Sequence, residues 1–367
     1  MVSLPQLPPD FGGAFKNIDL IAALCQKRRC AQASDAGPKD GNFCRFHARL
    51  APPLAPLTLC LGYMTLRLSK KGDAGSVAMQ AEQLIEQELE RALALATRKP
   101  CPPRLAAAYR YAVLPGGSRI RPRLTLAVAL ACGNAAPQAA LAYASCLEIM
   151  HCASLIHDDL PCFDDALTRR GRPALHREFG EPLALLTGDG LIVLALQWLS
   201  LRGLDAGSRL PALINQLAAS VGAPSGIVAG QSWEEEPKVD LHAYHEAKTG
   251  ALFSAATAGG ALAGGAQGEE WGRLGARLGE AYQVADDLRD ALGDSDELGK
   301  PVGVDEALGR PNAVAQLGVA GAADRLRTLV QEALASIPPC PGRAALLETI
   351  EAQAKAILAG CKVRDAA

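Results

Sequence analysis

From Met79 onward, apolar side chains recur at helical spacing. Ile85, Leu89 and Leu93 lie four apart among Glu82, Glu86, Glu88 and Glu90, which predicts an amphipathic helix ending near Pro100. Beyond it, long Ala/Leu-rich stretches alternate with short Gly/Pro breaks at 115–117, 133–137, 171–173, 180–182, 222–226, 264–268 and 337–342. No stretch alternates with period two over a useful length, so no strands are predicted, and there is no fixed-period repeat. The pattern predicts one all-α domain over 77–364, with helices packed around a shared interior. Residues 1–76 read as an irregular extension, because Pro5, Pro8, Pro9, Pro38, Pro52, Pro53 and Pro56 forbid a long helix.

Composition supports helix over sheet. Hydrophobic residues make up 49% of the 367-residue chain but aromatics only 4%, and Ala and Leu supply most of the apolar content. With 37 Lys+Arg against 39 Asp+Glu, the net charge of −2 gives no electrostatic basis for a nucleic-acid partner. The N-terminus lacks a basic region followed by an unbroken apolar run. No run is expected to span a membrane: Ala51 to Leu61 is broken by prolines and Leu183 to Leu199 contains Asp189. Seven of the eleven cysteines stand singly in Ala/Leu-rich sequence, as free thiols of a reducing compartment would. The expectation is a cytoplasmic protein with no integral membrane segment. Cys25-x4-Cys30-x13-Cys44-x2-His47 has four zinc-type ligands in loose spacing. The extension thus reads either as a small zinc knuckle or as an upstream misassigned start.

Two acidic clusters interrupt the oily sequence. His157-Asp158-Asp159-Leu160-Pro161-Cys162-Phe163-Asp164-Asp165 is the first, and Gln283-x-x-Asp286-Asp287-x-x-Asp290 the second. Pro161 is expected to kink the first helix so that Asp164 returns toward Asp158 and Asp159. Asp286 and Asp290 are i and i+4 on a helix, with Gln283 one turn earlier, so their carboxylates converge. A solvated helix face would carry interleaved Lys, which neither cluster has. Hard oxygen ligands in this number suit Mg²⁺, which completes its shell with water and phosphate oxygens.

Basic residues flank the acidic ones. Gly116-Gly117-Ser118-Arg119-Ile120-Arg121-Pro122 precedes the first cluster and Arg169-Arg170-Gly171-Arg172 follows it, and guanidiniums beside glycine turns suit bidentate phosphate contact. Lys248-Thr249 and Gly299-Lys300 each place one lysine at a helix or loop boundary, and His151 lies two turns before Asp158.

On these elements, in this order, the chain resembles the trans-isoprenyl diphosphate synthases of the head-to-tail type, and within them the geranylgeranyl diphosphate synthases of bacterial carotenoid and bacteriochlorophyll pathways. The resemblance implies an isoprenoid synthase-type helical bundle around a central cavity, working as a homodimer. It implies that Asp158, Asp159, Asp164, Asp286, Asp287 and Asp290 hold Mg²⁺ against an allylic diphosphate, which Arg169, Lys248, Thr249, Gln283 and Lys300 contact. Arg121, His151 and Arg170 are implied to bind isopentenyl diphosphate. The allylic partner is dimethylallyl, geranyl or farnesyl diphosphate. Three positions depart from the family pattern: Ser118 stands where a Lys is usual, Val304 where many members carry Lys, and Glu234 where Asp is common after Gly230-Gln231.

No GxSxG, P-loop or Rossmann motif occurs. A terpene cyclase would not need the second diphosphate site that Arg121 and Arg170 imply, and a non-catalytic subunit would be expected to have lost one Asp cluster. Product length turns on the helix before Asp158. Family members that stop at fifteen carbons carry Phe or Tyr near the positions of Ala153 and Ser154, both small here, with Met150 one turn deeper as the floor. Twenty carbons are therefore expected, with fifteen as the alternative.

Overall fold

The computed structural model describes residues 74–114, 116–292 and 312–360, all within one compact unit, Leu68–Ala367. Cys25, Cys30, Cys44, His47, Lys300 and Val304 lie outside the described residues.

The described chain is a helical bundle. Its helices are α1 Ala74–Thr97, α2 Pro103–Val113, α3 Ile120–Ala131, α4 Pro137–Asp158, α5 Leu175–Phe179, α6 Glu181–Arg202, α7 Leu210–Val221, α8 Ile227–Ser232, α9 Leu241–His245, α10 Ala251–Gly264, α11 Glu269–Leu292, α12 Ala313–Ala335 and α13 Arg343–Gly360. The breaks expected from glycine and proline separate helices as predicted, and α1 begins five residues before Met79. Proline at the first turn starts α2, α4, α6 and α7, where its missing N–H costs nothing.

The bundle is built around α4, which packs against α1, α3, α6 and α10. Its interior stretch, Ala139 to Met150, is buried on every side, as a helix with no polar face must be. Elsewhere in the bundle, Ala281, Val284, Ala285 and Leu288 of α11 recur at helical spacing and meet Ala322, Leu326 and Leu329 of α12 in a buried seam.

Three local expectations change. First, α4 ends at Asp158 instead of kinking at Pro161, and the chain then turns, with Asp164 N–H donating to the Asp158 carbonyl at 3.0 Å. A residue before proline is steered away from helical backbone, so the helix stops early. Second, Thr168–Arg169 and Arg172–Pro173 form a small antiparallel pair where no strand was predicted. Its two turn residues, Arg170 and Gly171, both take positive φ, at 53° and 70°, the hairpin turn that short loops favour. Four residues give no period-two signal. Third, α4 and α6 are both long and apolar enough to cross a membrane by length and composition. The apolar window of α4 is 83% buried inside the protein and that of α6 44% buried.

Candidate active site

The site lies where the C-terminal end of α4 meets the hairpin and α8, with α11 linked to it through residues 246–250. Residues 158–166 close on themselves: Asp165 N–H donates to the Leu160 carbonyl at 3.1 Å and Ala166 N–H to Asp159 at 3.2 Å. Asp158, Asp159 and Asp164 are thereby gathered at one helix end, a place where the dipole disfavours negative charge and cations must answer it.

The cations come from other elements, which is why no lysine is interleaved in the sequence. Arg169 on the hairpin pairs with Asp159, Nε lying 2.9 Å from Oδ1 and Nη2 closing the fork. Burial raises the Asp159 pKa above its ordinary value, and Arg169 only partly offsets it. Lys248 Nζ stands 3.3 Å from Asp158 and bonds Glu234 directly.

Lys248 belongs to a π-helical turn, Glu246–Gly250, a geometry frequent at functional sites. Gly230 of α8 packs directly against this turn, where a Cβ would fall 2.5 Å from the Lys248 nitrogen, so only glycine fits. The next residue of α8, Gln231, brings its Nε2 to the Ser154 carbonyl at 3.3 Å and to Asp158 at 3.5 Å. Glu234 follows, and oxygens of Asp158, Asp164 and Glu234 all lie within 4.8 Å of one another.

The same π turn joins the two acidic motifs. While Lys248 faces Asp158, the next residue, Thr249, makes a 3.0 Å hydrogen bond to Gln283, whose amide nitrogen donates to Asp287 at 3.0 Å. Asp286 is half-buried and lies toward Arg289, 3.8 Å away. Asp290 is one turn beyond it. Asp287 faces the start of α12. It is buried, and its second oxygen accepts the Ala313 N–H at 2.8 Å, capping α12 together with Asn312. It holds the α11–α12 seam instead of facing Asp286, because it sits about 100° around the helix from its neighbour.

The basic residues form a second cluster near His151. Arg121 lies with its guanidinium 4.7 Å from the Phe253 ring centre, and its buried Nε has no hydrogen-bond partner among the described residues. Burial lowers its pKa. Burial, then Arg121, Arg170, Arg169 and Arg119, hold His151 well below its ordinary value, so it is a neutral imidazole at pH 7. Ser154 Oγ turns back to the His151 carbonyl at 2.8 Å, and Ala153 and Met150 are buried.

Sequence reading missed two members. Glu234 was visible as a departure from pattern but not as a carboxylate facing Asp158 and Asp164. Glu148 was readable as an acid inside an apolar helix, three residues before His151, although nothing in the sequence names its partners.

Residues 102–345 match the polyprenyl synthetase family. The chain is 54% identical to the geranylgeranyl diphosphate synthase of Cereibacter sphaeroides and 50% identical to that of Rhodobacter capsulatus, each over 76% of this chain and 97% of the relative. Its structure is similar to a geranyltransferase from Helicobacter pylori complexed with magnesium and isoprenyl diphosphate. The TM-score is 0.62 at 31% identity, covering 74% of this chain and 97% of the other. The motif order, the helical bundle and these likenesses agree: the chain belongs to the polyprenyl synthetase family, the trans-isoprenyl diphosphate synthases, and is a prenyltransferase of isoprenoid biosynthesis.

Proposed function

We propose that the protein is a Mg²⁺-dependent geranylgeranyl diphosphate synthase, extending allylic diphosphates (dimethylallyl, geranyl, farnesyl) with isopentenyl diphosphate. The observation that carries the reading is the π turn, whose consecutive residues Lys248 and Thr249 reach Asp158 and Gln283, joining both acidic motifs at one cleft.

The donor set fits magnesium: Asp158, Asp164 and Glu234 offer only hard carboxylate oxygens, gathered within 4.8 Å. Asp159, Asp286 and Asp290 complete the acidic lining, and Asp287 acts as a helix cap. Bound Mg²⁺ would supply Lewis-acid stabilisation of the charge that develops on the departing diphosphate.

The chain's own groups do the rest. Arg169, Lys248, Thr249 and Gln283 orient the allylic diphosphate, with Lys300 assigned from the family pattern. Arg121 offers an unpartnered buried N–H to isopentenyl diphosphate, next to Arg170 and a neutral His151 that can donate a hydrogen bond without adding charge. Catalysis needs no protein nucleophile, since preorganised cations stabilise the leaving group while apolar helix surface excludes water. Ala153 and Ser154 leave room for a fourth isoprene unit, and the buried Met150 forms the floor. Chromatography of the dephosphorylated products tests this: twenty-carbon prenol is expected, and mainly fifteen-carbon product overturns it.

A second copy of the chain is assigned to α6. Leu186, Val193 and Leu201 fall on one stripe of that helix and are 55%, 64% and 45% exposed. Light scattering is expected to give a homodimer, and Val193→Glu to weaken it. The six described cysteines are all free, which fits a cytoplasmic enzyme. We assign catalysis to the unit from Leu68 onward, so a chain beginning there is expected to fold and turn over. Activity that requires the preceding residues, or stoichiometric zinc in the full chain, would reverse that division.

A further inference from the structure

Glu148 lies at the centre of α4 and is 2% exposed, on a helix otherwise apolar over that stretch. A buried carboxylate persists only where cations and donors satisfy it. Arg119 Nη1 donates to its Oε1 at 2.7 Å, and Arg170 Nη2 stands 3.6 Å from the same oxygen. Arg119 is itself 2% exposed and takes left-handed backbone at φ 46°, a conformation costly for a residue with a side chain. It is held there by three further bonds, Nε to Glu86 at 2.7 Å, Nη2 to Glu86 at 3.3 Å and Nη2 to the Val113 carbonyl at 2.8 Å.

The contacts of Glu148 tie three separate elements together. Arg119 is the entry to α3, two residues before Arg121, and Arg170 is the turn of the hairpin. The Arg170 guanidinium also lies on the Gly117 backbone, where a Cβ would approach Nη2 to 3.2 Å. The first arginine of the Gly116-Gly117-x-Arg119-x-Arg121 motif is therefore turned inward and bound, while the second is left with an open donor. Because Ser118 contributes no cation, the orientation of Arg121 and Arg170 governs the charge offered to a diphosphate.

We propose that Glu148 is a positioning residue for the isopentenyl diphosphate subsite: it orients Arg170 directly and, through Arg119, fixes the loop that presents Arg121. This rests on the assignment of Arg121, His151 and Arg170 to that subsite.

Initial rates with each substrate varied at saturating levels of the other test it, for Glu148→Gln, the double variant Glu148→Gln/Arg119→Met, and Arg170→Gln. Glu148→Gln is expected to raise KM for isopentenyl diphosphate about tenfold or more, with far smaller changes in kcat and in KM for geranyl diphosphate. The double variant restores buried charge balance, yet its KM for isopentenyl diphosphate stays raised, because Arg170 still lacks its carboxylate. It also decides the matter should the single variant fail to fold. A double variant with wild-type KM shows that Glu148 only balances Arg119 and overturns the proposal. So does an unchanged KM in Glu148→Gln, or an equal rise in both KM values, provided Arg170→Gln raises KM for isopentenyl diphosphate. If Arg170→Gln leaves that KM unchanged, the subsite assignment itself fails.

Discussion

The two acidic motifs have nearly the same composition and behave differently in the fold. At the first, the chain turns back on itself at the end of α4, and Asp158 and Asp159 are each answered by a cation from a distant element, Lys248 and Arg169. The second lies inside the continuous helix α11, where successive residues must point in different directions: Asp286 is half-buried beside Arg289 while Asp287 is buried against the start of α12. A broken helix end can aim several carboxylates at one point. An unbroken helix divides them between the site and the scaffold.

The sharpest way to break that comparison is to neutralise the first motif. Asp158→Asn is expected to lower kcat at saturating Mg²⁺ by about three orders of magnitude, with helix content unchanged by circular dichroism. Asp286→Asn is expected to follow with a loss of about two orders. Near-wild-type turnover in both variants would remove the acidic motifs from the chemistry.

Asp287→Ala sharpens the contrast within the second motif. Loss of the α12 cap and of the Gln283 bond is expected to cost about 1–3 kcal/mol of stability, while kcat falls less than about tenfold. Thermal unfolding and turnover measured together decide it. An activity loss matching Asp158→Asn would return Asp287 to the metal set.

Changes upstream on α4 act on product, not rate. Ala153→Tyr is expected to shift the main product from twenty to fifteen carbons with little loss of turnover, and Met150→Ala to allow some longer product. An unchanged product profile in both would place the growing tail elsewhere.

The smallest expected effect concerns His151. Its folded-state pKa is depressed, so below about pH 6.5 the unfolded chain takes up a proton that the folded one refuses. Its contribution is complete above that pH and falls by up to about 1.4 kcal/mol per pH unit below it. His151→Gln is therefore expected to flatten the decline in Tm between pH 7 and pH 5.5. Equal declines in the two proteins would show that His151 titrates normally.

The sequence alone determined the helical class, the positions of most breaks and the identity of both acidic motifs. Those features depend on local periodicity, on proline and glycine backbone limits, and on charges too numerous for an apolar stretch, as at 157–165. It could not show that Glu234 joins Asp158 and Asp164, that Asp287 caps α12, or that Arg119 turns inward to Glu86 and Glu148. Each of those pairings spans 26 or more residues of chain, apart from the Asp158–Asp164 turn. They arise only when helices dock, because a buried charge finds its partner by proximity in space, and proximity between α4, α8, the hairpin and α11 is a property of packing.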